Sequence, residues 1–235
     1  EETLAEATAQ TGCEDRAAVE CEPFIQWVIE DEFPQGRPEW EAGGALFVTD
    51  VAPYERMKLT MLNGSHSMMA YAGFLAGHRY VRDVMSDPAL ATLVKRHLMA
   101  ASRVMPPLAG IDFADYGEAL VERFRNPAIA HETYQIAMDG TQKLPQRITA
   151  PALIALEEGH DMRPFAFATA AWMRYALGRK EDGTIYELRD PMAEKISKAV
   201  SGLSDPADIY NALAKLPGLF PSELTSSEKF SAPVR

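Results

Sequence analysis

Cysteine is scarce in this chain, which holds Cys13 and Cys21 and no other in 235 residues. Two thiols cannot make a disulfide framework, and their spacing matches no zinc pattern. A reducing cytoplasm is the expected setting. Basic charge is short as well, with 23 Lys and Arg against 34 Asp and Glu for a net charge of −11. No basic patch interrupts that balance, which argues against a nucleic-acid partner. No apolar run has the length of a membrane span, so no membrane partner is expected. The opening residues Glu-Glu-Thr-Leu-Ala lack the basic and apolar regions of a secretory leader. An initiator Met is missing too, so the chain reads as a fragment or a processed product. None of the five histidines pairs closely with Asp, Glu or Cys at metal spacing, and no metal is expected. A nucleophile elbow and a phosphate loop are both absent. So is Gly-x-Gly-x-x-Gly, and with it any dinucleotide fingerprint.

What is present is a 47% hydrophobic, 24% charged composition, enough for a sizeable core in one large or two small domains. Residues 1–22 are polar and acidic, a short helix or a frayed lead-in. Residues 24–29, Phe-Ile-Gln-Trp-Val-Ile, are short and rich in β-branched and aromatic side chains, as in a strand. Residues 31–44 carry Pro34, Gly36, Pro38, Gly43 and Gly44 and read as a loop; 45–48 is a second short strand. A long helix is expected over 53–84, with Pro53 at its start and Asp50 upstream as cap. Punctuated helices follow. Asp87-Pro88, Asn126-Pro127, Asp190-Pro191 and Asp205-Pro206 each open one, and Asp112 caps another. Gly140 is expected to stop the helix begun at Asn126-Pro127, and Pro145 to start the next. Residues 164–177 look buried, with Gly178 as C-cap. Asp182-Gly183 is a turn, and the tail from Ser222 reads as loosely held. The chain is thus mainly α, with a little β near its start.

The central stretch is 54–69, Tyr-Glu-Arg-Met-Lys-Leu-Thr-Met-Leu-Asn-Gly-Ser-His-Ser-Met-Met. On a helix Lys58, Leu62 and His66 share one face, with Asn63 beside His66. Lys58 and His66 lie about 12 Å apart along the axis at 1.5 Å per residue. The surrounding Met, Leu, Tyr and Phe mark a buried helix, where a lysine, an amide and an imidazole need partners. Such a trio is either a core polar network or an active site. A lysine desolvated there loses affinity for its proton and can serve as general base, unless it snorkels to solvent. A buried Asn63 can donate to a developing alkoxide, and His66 can hold a hydroxyl or a proton. Either could equally be a satisfied core group. A second polar knot spans 139–147, where Lys143 and Arg147 could bind hydroxyl or carboxylate oxygens or simply be solvated.

Lys-Leu-Thr-Met-Leu-Asn-Gly-Ser-His, residues 58–66, resembles the signature of the polyol-specific long-chain dehydrogenases, the family of mannitol 2-dehydrogenase and fructuronate reductase. Similar stretches lie at Phe24-Ile-Gln-Trp-Val-Ile-Glu-Asp, Gly36-Arg37-Pro38, Thr49-Asp50-Val51 and residues 135–147, so the likeness covers roughly Glu22 to Lys215. The resemblance implies a C-terminal helical substrate domain over 51–221, a remnant or linker of an N-terminal Rossmann half over 1–50, and a tail over 222–235. It implies NAD as cofactor, bound mainly by that N-terminal half, with truncation accounting for the missing fingerprint. Cofactor-binding residues in this chain remain unassigned. By the same resemblance Lys58 is the catalytic base and Asn63 one of two asparagines polarising the reacting oxygen. His66 and Lys143 become substrate-binding residues. The mannitol branch carries an arginine where this chain has Gln135. The 135–147 stretch looks closer to the fructuronate reductase branch, with Lys143 or Arg147 as carboxylate partner. The expected activity is interconversion of D-mannonate and D-fructuronate. The alternatives are a mannitol 2-dehydrogenase and a non-enzymatic helical binding or assembly module.

Overall fold

A computed structural model describes residues 2–19, 21–22 and 24–235. Helix accounts for 58% of the described residues, and two compact units divide the chain, residues 1–51 and 52–235. Of the expected lead-in over 1–22, Glu1 and Glu20 lie outside the described residues.

In the first unit α1 (Glu2–Thr11) precedes two short strands, β1 (Trp27–Glu30) and β2 (Ala45–Val48). They pair in parallel, Trp27 opposite Ala45 and Glu30 opposite Val48. The first strand is shorter than 24–29 suggested: Phe24, Ile25 and Gln26 precede it, and Phe24 and Ile25 are exposed. The connecting loop is held by Arg37. Its guanidinium pairs with Asp31 at 2.9 Å and Glu41 at 2.8 Å and lies 3.2 Å from the centre of the Phe47 ring. Trp40 stacks on Trp27 and Phe47. The Gly36-Arg37-Pro38 motif thus has a local structural job, neutralising two carboxylates over an aromatic floor.

The second unit begins with α2 (Ala52–Met57). A π-helical stretch, Lys58–Asn63, then leads into α3 (Gly64–Leu75). The expected helix over 53–84 is therefore corrected: it ends at Leu75. Gly77 turns left-handed at φ 87°, and the His78 N–H reaches back to the Gly73 carbonyl at 2.8 Å, closing a Schellman motif. Tyr80 is extended, and α4 (Val81–Ser86) restarts the helix.

Helix α5 (Pro88–Arg103) is capped by Asp87, and α6 (Phe113–Arg125) by Asp112, as their sequences indicate. Asn126-Pro127 opens no helix. The Asn126 side chain accepts from the Ala128 N–H instead, an Asx turn that competes with helix, and only a single turn, α7 (Thr133–Ile136), follows. Gly140 stops nothing. It opens α8 (Gly140–Leu144), because Asp139 ahead of it is left-handed at φ 56°. From there the helix runs through a second π stretch, Pro145–Thr149, into α9 (Ala150–Glu157). Asp190, far along the chain, accepts from the Thr141 N–H at 2.8 Å and its hydroxyl at 2.6 Å. That cap comes from a remote segment. Pro145 falls where the helix widens, and its missing N–H removes a donor that an ordinary α-helix would require.

Helix α10 (Arg163–Tyr175) packs against α3 through Trp172, Tyr71 and Tyr175, all almost fully buried. Asp190 also accepts from the Met192 N–H ahead of α11 (Ala193–Val200). Asp205 caps α12 (Pro206–Leu213). The tail is not loose. It forms α13 (Ser222–Thr225) and α14 (Glu228–Val234), the latter packed on α10, with Leu224 and Phe230 inaccessible to solvent. Its large apolar residues, Leu224, Phe230 and Val234, are all buried. No helix of the described residues is long and apolar enough to cross a membrane.

Candidate active site

The two π-helical stretches pack against each other and carry between them most of the residues singled out in the sequence. The first bears Lys58 and Asn63, with His66 one turn into α3; Arg147 lies on the second, and Lys143 on the turn before it. π-Helical turns inside longer helices recur at functional sites, since the extra residue re-aims the side chains around it. Gly64 permits the contact. A Cβ at that position would stand 2.8 Å from the Arg147 carbonyl oxygen and 3.4 Å from Nε2 of His97. The Asn63-Gly64 pair is thus a site of close backbone approach inside a helix.

Burial differs from the expectation. Lys58 is exposed, and Asn63 and His66 are half-buried. The apolar residues that crowd the sequence here, Met57, Met61 and Leu62, turn inward. The widened helix leaves Lys58 on the outer side, so burial, the cause expected to make it basic, is not supplied by this chain. Lys143 and Arg147 stand on helix and not on a loop. The Lys143 ammonium donates to the carbonyls of Met138 at 2.5 Å and Ile136 at 3.3 Å, at the end of α7, where a helix terminus favours a cation. Burial, then the charge of Arg147, lowers the Lys143 pKa; Asp139 and Asp190 work against that. Arg147 donates from Nη1 to the Ser67 hydroxyl at 3.2 Å.

His66 is the electrostatic centre. Phe124 covers it at 4.8 Å between ring centres, and His131 meets it edge-on at 5.9 Å. Desolvation first, then His131, Arg123, Arg147 and Lys58, push its pKa down to about 3. Its ring is neutral at pH 7 and offers one donor and one acceptor. These groups come from α2's extension, α6, the loop after α6 and the second π stretch. The structure thereby brings Lys58, His66 and Arg147 under one field. Arg123, Phe124 and His131 have no counterpart in the sequence reading. Their signal is tertiary: they reach His66 from 57 to 65 positions away along the chain. Among the described residues, no three His, Cys, Asp or Glu side chains gather as a metal site.

Lysine, amide, imidazole and guanidinium groups on these helical turns are side chains able to hydrogen-bond the oxygens of a small molecule. The match to known proteins is specific. The mannitol dehydrogenase C-terminal domain matches residues 50–234, and the mannitol dehydrogenase Rossmann domain residues 4–42. This chain belongs to the mannitol dehydrogenase family. It is 44% identical over 236 aligned residues to the D-mannonate oxidoreductase of Escherichia coli, covering 99% of this chain and 48% of that protein. To the mannitol 2-dehydrogenase of Aspergillus terreus it is 37% identical, covering 95% and 45%. The structure of Pseudomonas fluorescens mannitol 2-dehydrogenase in ternary complex with NAD and D-mannitol superposes with a TM-score of 0.86 at 36% identity, covering 98% of this chain and 46% of that one. The chain spans about half the length of these relatives. The mainly α fold and the family expected from residues 58–66 are thus correct.

Proposed function

We propose that this chain is the substrate-handling part of an NAD-dependent oxidoreductase that interconverts D-mannonate and D-fructuronate. The observation that carries the sugar-acid reading is the set of cationic groups converging on His66, in a chain whose net charge is −11. An anionic substrate fits that face better than a neutral polyol. The 44% identity to a D-mannonate oxidoreductase, against 37% to a mannitol 2-dehydrogenase, supports the same side.

In this reading the domain comprises 51–221, with 1–50 as a part or linker of the Rossmann half and 222–235 as a C-terminal segment. Lys58 takes the proton of the reacting hydroxyl on oxidation and returns it on reduction. Substrate seated over it supplies the desolvation that this chain leaves out. The Asn63 amide donates to the oxygen as it becomes an alkoxide. Neutral His66 hydrogen-bonds an oxygen beyond the reacting one, toward the far end of the substrate. Arg147 and Lys143 hold the oxygens at the far end of the substrate, Lys143 after exchanging one of its carbonyl partners. NAD, when bound, accepts the hydride. The residues of this chain contain no Gly-x-Gly-x-x-Gly to cradle its pyrophosphate. The cofactor contacts are therefore assigned to the family's Rossmann half, of which residues 4–42 match a part.

The test is NADH oxidation by the full-length enzyme with D-fructuronate and D-fructose side by side. A higher kcat/KM with fructuronate is expected. A higher value with fructose would make the enzyme a mannitol 2-dehydrogenase and overturn the sugar-acid reading.

A further inference from the structure

We propose that His131 grips the carboxylate of the substrate and thereby sets the preference for a sugar acid. The inference rests on the sugar-acid reading above and adds a residue that reading does not contain.

The geometry comes first. The His131 and His66 rings stand 5.9 Å apart between centres at 76°, so a group touching the exposed His131 ring lies beside His66. Phe124 packs on His66 at 4.8 Å between ring centres, while His131 is exposed.

His131 is also held where it stands. Its carbonyl accepts from the Val81 N–H at 3.0 Å. The next residue, Glu132, bridges Tyr80 and forms a 2.7 Å ion pair with Arg79. Thr133 then donates its N–H to the Arg79 carbonyl and its hydroxyl to the His78 carbonyl. Upstream, the Pro127 carbonyl accepts from Arg82 and Asn126 caps its own turn. The loop is pinned at both ends while the side chain of His131 remains exposed. Core packing does not require an exposed imidazole on so well-anchored a backbone, whereas a binding contact does.

The field agrees. Arg123, Arg147 and Lys58 act on His66 with the same sign as His131. An anionic group at the exposed His131 ring, beside His66, would lie in that field, and charge-assisted hydrogen bonds there are strong.

The experiment uses the full-length enzyme, its His131→Ala and His131→Gln variants, and steady-state NADH oxidation with D-fructuronate and D-fructose. For His131→Ala, the ratio of kcat/KM values, fructuronate over fructose, is expected to fall about 10-fold to 100-fold, the range for one hydrogen bond to a charged group. The loss should sit mainly in KM. His131→Gln, which keeps a donor, is expected to recover part of it. Equal losses on both substrates, or an unchanged ratio, in an enzyme whose wild type prefers fructuronate would overturn the role of His131 alone. A wild type that prefers fructose would overturn the sugar-acid reading and this role with it. Melting curves of both variants, expected to match wild type because the side chain is exposed, separate lost contact from lost fold.

Discussion

Lys58 shows how far a single residue can be read. Its type and its spacing to Asn63 and His66 point to proton transfer and oxygen binding, and the structure brings the charge of Lys58 to bear on His66. Its burial could not be read, because periodicity assumes an unbroken α-helix and the chain widens at Lys58 itself. An exposed lysine needs substrate to desolvate it, so its contribution belongs to the bound complex. Lys58→Ala in the full-length enzyme is expected to lower kcat by about 10² to 10⁴, the usual yield of a positioned base, with an unchanged melting temperature. Near-normal turnover in single-turnover kinetics would remove Lys58 from the reaction. Arg123 and His131 mark the opposite limit. Nothing local distinguishes them from solvated surface residues, and they gain meaning when α6 and its following loop arrive beside His66.

At the scale of elements, capping chemistry was legible and remote capping was not. Asp87, Asp112 and Asp205 each accept from two N–H groups of the helix they precede; the Asp-Pro dipeptides announced the first and last, and Asp112 announced its own helix without a proline. Asp190 looked like a fourth of the same kind. It serves Met192 nearby, but also fixes Thr141 at the start of α8. Without that distant carboxylate in view, Gly140 reads as a stop and Pro145 as a start, when both lie within one winding stretch. The Asn-Gly pair misleads in the same way. In isolation it signals a tight turn, yet here Gly64 is demanded by the Arg147 carbonyl 2.8 Å from where a Cβ would be. The two π stretches meet at that point, so the Asn63 amide and the Arg147 guanidinium, the oxygen and substrate contacts of the proposed function, are brought together by the absence of a single Cβ.

At the scale of the whole molecule, two histidines tie stability to pH. His97 is completely buried against Phe165, and desolvation pushes it down to about 4, opposed by a contact with the Pro164 backbone. His66 is pushed to about 3. Both pKa values lie below the ordinary 6.5, so the unfolded chain binds more protons between these limits. Stability is full above about pH 6.5 and is lost as pH falls toward 4 and then 3. His97 alone should cost on the order of 2 kcal/mol between pH 7 and pH 5. Urea melts at those two pH values, with His97→Leu beside wild type, are expected to show the dependence shrinking by about that amount in the variant; an equal dependence would place the linkage elsewhere. One feature reaches beyond folding into chemical ageing. An Asn-Gly peptide loses ammonia when the glycine nitrogen closes on the side-chain amide, a ring that an extended backbone allows and a helical one resists. Asn63 sits at φ −74° and ψ −31°, so the winding that aims its amide also shields it. Heating just below the melting transition should therefore convert Asn63 to aspartate in step with local opening, as peptide mapping by mass spectrometry would read. Each converted molecule would carry a carboxylate where the proposed function needs an amide donor, and that site would expire before the fold does.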